Sequence, residues 1–300
     1  MSYQNIAFSS DNFTLRGRWY PCDLASEKPC IVMAHGTSAT ITMALSHYAE
    51  EFQKNGFNVL LFDHAGFGKS DGRQTLTINP WVQARGICDA VAYAQSRDGL
   101  HNGKIILWGD SFAGMLVLVV GAVIEGLAGI VSFTPPCGFE EIDLKDPNTS
   151  FSKLKNILLS GNLEELEEGI VEGPMAVVSS DQLGTPSLLK PIQAFKWFIE
   201  HGGQFDSGWV NSVTREIPKT DVPFSPQVTA SFITVPTLIV SGKNDEMVHI
   251  KLDIQKLVFD KINAPKEFYE INGGHFGAIY PKSDLFWEAI TIETNFMRKL

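Results

Sequence analysis

One stretch, Lys104 to Phe133, constrains this chain more than any other: KIILWGDSFAGMLVLVVGAVIEGLAGIVSF. It opens on an apolar run, bends through Gly109-Asp110-Ser111-Phe112-Ala113-Gly114, and continues almost without charge. About 20 mostly apolar residues suffice to cross a bilayer, so length alone permits a membrane span. Glycines at 114, 121, 126 and 129 split the run, Glu125 interrupts it, and no basic cluster flanks it to set a topology. A strand, a tight turn, a buried helix to about 124, a turn at Glu125-Gly126 and a buried strand near 128–132 absorb every residue. The expectation is therefore a sheet covered on both faces and no membrane partner. Such a sheet also helps explain why only 19% of residues are charged.

The same rhythm runs through the rest of the chain. Ile6–Phe8 and Phe13–Trp19 read as a hairpin around Ser9-Ser10-Asp11-Asn12. CIVMA (Cys30–Ala34) and VLLF (Val59–Phe62) are continuous apolar runs, the mark of strands buried on both faces. Helical patterns follow at Leu45–Lys54 and Trp81–Ser96. Strands alternating with helices predict βαβ units and a mainly parallel sheet. From Thr134-Pro135-Pro136 to about Ser231 no buried-strand run occurs, and acidic helical patterns and scattered Gly and Pro replace it. The rhythm resumes at TLIV (Thr237–Val240), with a helix near Val248–Phe259, a strand near Lys266–Ile271 and a closing helix capped by Ser283. This divides the chain into a first core part over 1–136, an inserted helical cap over 137–231 and a second core part over 232–300.

Charge and cysteine content narrow the partners. With 24 Lys+Arg against 34 Asp+Glu, the formal charge is −10. That argues against nucleic acid, whose binding begins with basic residues neutralising phosphates. Cys22, Cys30, Cys88 and Cys137 form no C-x-x-C pair and read as small buried hydrophobes in a reducing compartment. The first residues, MSYQNIAFSSDNF, carry neither a basic nor an apolar signal region, so a cytoplasmic location is expected.

The turn at Ser111 carries the chemistry. A buried strand that ends in Gly-x-Ser-x-Ala-Gly and feeds a helix is the context of a nucleophile elbow. Gly109 and Ala113 are small where a tight turn demands it, and the hydroxyl then stands at a helix N-terminus that favours developing negative charge. A serine that merely caps the helix is the plainer alternative. A nucleophilic serine needs a base and a group to orient that base, in the chain order Ser, acid, His. TLIVSG runs into Lys243-Asn244-Asp245, and KEFYEI runs into Asn272-Gly273-Gly274-His275. Asp245 and His275 thus fall in loops beyond strand ends, where open α/β sheets bind ligands. Glu246 competes for the acid role. The backbone N–H of Phe112 and of Thr37, in the loop His35-Gly36-Thr37-Ser38, are the expected oxyanion donors. His35 reads as structural. Asp63–Gly72 contains G-x-G without the third glycine of a dinucleotide site, and no His/Asp cluster has metal spacing, so no cofactor is expected.

Taken together, HGTSAT, DHAGFGKSDG, GDSFAG, the Asp245 loop and GGHF resemble the α/β-hydrolase superfamily. Trp108-Gly109-x-Ser111-Phe112, His275-Phe276-x-x-x-Tyr280 and Gly208–Thr214 look more narrowly like the dienelactone-hydrolase and X-Pro-dipeptidyl-peptidase-like branch, which includes fungal polyketide transferases and hydrolases. One departure is Ala65, where that branch usually has arginine. The resemblance implies an eight-stranded, mostly parallel sheet with a helical cap, and acyl chemistry on esters, lactones or thioesters of a small-molecule substrate. Hydrolysis, acyl transfer through the same triad, and a non-catalytic binder on this fold are the competing readings. Gly36, Trp197, Trp209 and Phe276 are the candidate substrate contacts, with Phe195, Phe198 and Phe205 as further cap aromatics. A homodimer is left open.

Overall fold

A computed structural model of the chain describes residues 2–22, 29–72, 75–97 and 104–300. Two strands open the fold: β1 (Gln4–Ser10) pairs antiparallel with β2 (Phe13–Tyr20), register Ser10↔Phe13, and Asp11 takes a positive φ of 46° in the turn. The units that follow are β3 (Cys30–Ala34), α1 (Leu45–Lys54), β4 (Asn58–Phe62), a short β5 (Thr77–Ile78), α2 (Pro80–Gln95), β6 (Ile105–Asp110), α3 (Phe112–Val123) and β7 (Leu127–Phe133). The core resumes with β11 (Thr237–Gly242), α7 (Leu252–Lys261), β12 (Lys266–Ile271) and α8 (Asp284–Met297). Ser283 Oγ accepts the Phe286 N–H at 3.0 Å, the cap expected of it.

These strands form one sheet in the order β1-β2-β4-β3-β6-β7-β11-β12. Every pairing from β4 to β12 is parallel. The strand period of two decides what packs where. Ile31, Met33, Leu61, Ile106 and Trp108 point to the layer that holds Tyr48, Phe52, Phe286 and Ile290 of α1 and α8. Val32, Leu60, Phe62, Ile105 and Leu107 face the opposite layer, with Trp81, Ile87, Leu116, Val120 and Val258 of α2, α3 and α7. Both faces are covered, so β3, β4 and β6 are buried at every position. Each fully buried large side chain contributes about 1.5–3 kcal/mol.

The apolar stretch after Ser111 is thus one helix and one central strand joined at Gly126, whose φ is +77°. Among the described residues no helix is long and apolar enough to cross a membrane. Cys30, Cys88 and Cys137 are buried and unpaired, and Cys22 is half-buried.

The insertion between β7 and β11 differs from the helical cap expected of it. It carries α4 (Pro147–Ser160), β8 (Glu167–Val178), β9 (Ser187–Leu189), α5 (Ile192–Gly202), β10 (Val213–Lys219) and α6 (Pro226–Thr229). A second sheet runs β5-β10-β8-β9, tied to the core through the parallel β5–β10 pair. These strands leave little mark in the sequence because β8 is exposed over most of its length and rich in glutamate, so it lacks the apolar run of a buried strand. Val228 and Ala230, at the end of the insertion, pack into the core layer of α3.

Candidate active site

β6 ends at Asp110 and α3 begins at Phe112, leaving Ser111 alone to turn the chain with φ 52° and ψ −120°. A non-glycine residue there stores about 1–3 kcal/mol of strain unless its surroundings hold it. They do: the Ser111 N–H donates to Phe133 O at 2.7 Å, and Ser111 O accepts from Met115 N at 3.2 Å. A Cβ on Gly109 would lie 2.4 Å from Ala113 O, and one on Gly114 would lie 2.8 Å from Phe133 O. Ala113 is accommodated because its methyl is part of the buried α2–α3 layer.

The loops after β11 and β12 lie side by side, joined by Lys243 N–H to Ile271 O at 2.9 Å and Asn244 N–H to Gly273 O at 3.0 Å. They bring the three distant residues together. His275 Nδ1 is 2.7 Å from Asp245 Oδ2, and Nε2 is 2.9 Å from Ser111 Oγ. A carboxylate only accepts, so Nδ1 donates and Nε2 is left to accept the serine proton. Asp245 Oδ1 accepts the Met247 N–H at 2.9 Å, which fixes the carboxylate. Glu246 holds the backbone instead of the ring: its Oε2 accepts the His275 N–H at 2.9 Å. A Cβ on Gly274 would lie 2.4 Å from that same oxygen, so the Gly-Gly pair lets the two loops approach.

Gly36 packs against the elbow, where a Cβ would lie 2.9 Å from Asp110 Oδ2 and 3.1 Å from Ser111 Cβ. This seats Thr37 beside Ser111 in one small cavity. The Phe112 N–H, at the first position of α3, precedes the helix's own hydrogen-bond ladder. His35 is structural: Nδ1 donates to Gly36 O at 2.9 Å and Nε2 accepts the His64 N–H at 3.1 Å. Burial pushes its pKa down to about 4. The Asp63 carboxylate accepts the N–H groups of Ile41 and Lys69, and burial pushes it up to about 6. Burial likewise raises Asp110 to about 7, against the opposing pull of His275. Among the described residues no group of His, Cys, Asp and Glu could hold a metal.

Two cavities meet here. A space of about 20 Å³ adjoins Ser111 and His275 and is walled by Gly36, Thr37, Trp197, Met247 and Phe276. Beyond it, bordered by Thr37, Phe112 and Leu189, lies a mostly apolar cavity of about 720 Å³. Of the expected contacts, Gly36, Trp197 and Phe276 wall the small cavity. Trp209 reaches neither: its ring lies over Gly202, where a Cβ would come within 2.4 Å, and 5.5 Å from Phe198. Phe198 joins the small cavity, Phe195 packs on the core, and Phe205 is fully exposed. The large cavity takes its walls from the start of α2, from β8 and β10 and from the segment before α6, through Trp81, Ile170, Arg215, Ile217 and Phe224. Those residues come from separate segments that share no local motif.

Known proteins resemble this chain in sequence and fold. The family described as serine aminopeptidase, S33, matches residues 25–167. A polyketide transferase of Aspergillus fumigatus is 30% identical over 325 residues, covering 100% of this chain and 99% of its own. The quorum-quenching protein AidA of Acinetobacter baumannii is 28% identical over 297 residues, covering 99% of this chain and 94% of its own. The crystal structure of the α/β hydrolase GrgF from a Penicillium species superposes with a TM-score of 0.73 at 20% identity, over 100% of this chain and 99% of that one. The chain belongs to the α/β-hydrolase superfamily. Its class is that of a hydrolase or acyltransferase built on an α/β fold.

Proposed function

We propose that this protein is a serine hydrolase that works through an acyl-enzyme on an ester, lactone or thioester of a bulky apolar acyl group. One observation carries the reading: the hydrogen-bonded chain Ser111–His275–Asp245 sits beside Thr37 and Phe112, which border an apolar cavity of about 720 Å³. His275 Nε2 takes the serine proton as Oγ attacks the carbonyl carbon. The tetrahedral oxyanion is held by the N–H groups of Phe112 and Thr37, each such donor worth about 3–4 kcal/mol in the transition state. Asp245 keeps the imidazole in the required tautomer and stabilises the imidazolium. The proton then passes to the leaving oxygen or sulfur, and the acyl group stays on Ser111 until water, deprotonated by His275, releases it. The insertion over 137–231 supplies much of the cavity wall and so sets which acyl groups enter.

A second reading, acyl transfer, draws support from the whole-length relative named a polyketide transferase. The machinery is the same and an alcohol or amine replaces water. A fluorophosphonate probe tests the shared chemistry: the adduct is expected on Ser111 and absent in Ser111→Ala. A folded protein that takes no label overturns both readings. Product analysis of one thioester, with and without an added alcohol, separates them by the ratio of new ester to free acid.

A further inference from the structure

The large cavity is not uniformly apolar. Ile78, Trp81, Met115, Leu188 and Phe224 line it, yet one strand presents charge to it. β10 lines the cavity with Arg215, Ile217, Pro218 and Lys219, past a register irregularity between Ile217 and Lys219, while Glu216 lines a separate cavity near Leu163 and Val171. Across the β8–β10 ladder, Arg215 stands opposite Glu172 and Lys219 opposite Glu167, and each pair is an ion pair, at 2.7 Å and 2.6 Å. The lysine pair is open to solvent, at 66% exposure for both side chains, whereas Arg215 is 31% exposed. Lys219 is therefore a solvated rim residue, and Arg215, half-buried, is the more sheltered of the two.

Arg215 keeps a donor in reserve. Glu172 Oε2 meets Nη2, but Nε is shut off from solvent and has no hydrogen-bond partner among the described residues. A guanidinium carries five N–H groups, more than the one Glu172 oxygen can accept, so the arginine that lines the cavity has donors left for an oxygen arriving there. His249, in the segment between β11 and α7, lines the same cavity, with its ring edge-on to Phe139 at 5.0 Å. Burial and then the Arg215 charge hold that imidazole below its ordinary pKa, so it offers one N–H and one lone pair at neutral pH.

We propose that Arg215, with His249 beside it, is a specificity subsite that binds a neutral carbonyl oxygen carried along the acyl chain, remote from the carbonyl that Ser111 attacks. The neutral class follows from Glu172, which already offsets the guanidinium charge; a carboxylate would bring a second negative charge to a pair that is balanced. The subsite rests on the acyl-enzyme reading, in which an acyl group seated at Ser111 extends into this cavity past Thr37 and Phe112.

The test compares thioesters of one chain length: the unsubstituted acyl chain, a series with a ketone moved along it, and the chain ending in a carboxylate. At one ketone position kcat/KM is expected to exceed that of the plain chain by about tenfold or more, the worth of one charged hydrogen bond. In Arg215→Met that ratio should fall toward one, and in Glu172→Gln the carboxylate-ended chain should gain relative to the ketone. Each ratio is taken on one protein preparation, so partial misfolding cancels. The proposal is overturned if no ketone isomer is preferred, if the preference survives Arg215→Met, or if the wild type prefers the carboxylate. Fluorophosphonate labelling of Ser111 is scored separately. A labelled protein that treats all chains alike loses the subsite alone, and an unlabelled one loses the acyl-enzyme.

Discussion

Glu246 holds the backbone of His275, its Oε2 accepting the N–H at 2.9 Å, while the neighbouring Asp245 holds the ring of the same residue at 2.7 Å. Two adjacent carboxylates thus share the positioning of one histidine. Glu246 anchors the loop that presents the imidazole, and Asp245 sets its tautomer and orientation.

This division predicts unequal losses. Asp245→Asn offers an amide N–H where an acceptor is needed and favours the wrong tautomer. On a p-nitrophenyl ester kcat should fall by about 10³–10⁴. Glu246→Gln keeps an oxygen that can accept the His275 N–H, so kcat should drop less than about tenfold. The reverse order would make Glu246 the acid.

Gly36→Ala tests the seating of the Thr37 loop. The added methyl would meet Asp110 Oδ2 at 2.9 Å and Ser111 Cβ at 3.1 Å, both parts of a packed elbow, so the loop must back away from Ser111. A displaced oxyanion donor raises the barrier without weakening ground-state binding. The expected result is a loss of about 10–100-fold in kcat with little change in KM. A changed KM at constant kcat would make Gly36 a substrate contact only.

Why some of this was legible in the sequence and some was not has a physical answer. CIVMA, IILW and TLIV are buried on both faces, so their apolar runs announce strands, and the loops beyond them carry Gly36-Thr37, Ser111 and Asp245. Ser111 is further marked by the small neighbours that its strained turn requires. β8 gave no such sign, because one exposed strand rich in glutamate reads like a solvated helix. Trp209 had the composition of a pocket residue, but its neighbour Gly202 lets it fold flat against α5, a contact that no local pattern encodes. Glu246 against Asp245 was undecidable from chain order alone; the 2.9 Å contact with the His275 backbone separates them.

A buried carboxyl lies behind the site. Glu293, with no exposure, accepts Trp108 Nε1 at 3.0 Å, and burial pushes its pKa up to about 8. Asp110, at about 7, is raised for the same reason. A carboxyl whose folded pKa lies above its unfolded value binds protons better when folded, so its stability is full at low pH and is lost as pH rises through the folded pKa. His35, depressed to about 4, works the other way, losing stability only as pH falls from about 6.5. Between pH 6.5 and 8.5 the carboxyls therefore dominate among these groups. Wild-type stability should fall over that window, by on the order of 2 kcal/mol. Glu293→Gln keeps an oxygen for Trp108 and removes the titration, so its melting temperature should vary less with pH. An unchanged slope would show that Glu293 does not titrate in that range.

The elbow itself makes the sharpest stability contrast. A methyl on Gly109 would press on the backbone oxygen of Ala113 at 2.4 Å, and the strand and helix that meet there are both locked into the core, so nothing nearby can yield. Gly109→Ala is expected to destabilise by about 2–4 kcal/mol or to yield no folded protein. Ala113→Gly opens the same turn, losing one buried methyl and some helix propensity, at a cost of about 1–2 kcal/mol. It should therefore fold and keep its label on Ser111. Thermal melts of the two variants, read beside fluorophosphonate labelling, check the pair. Equal stabilities would mean that the close approach at Gly109 does not govern the turn, and the strain at Ser111 would then need another restraint.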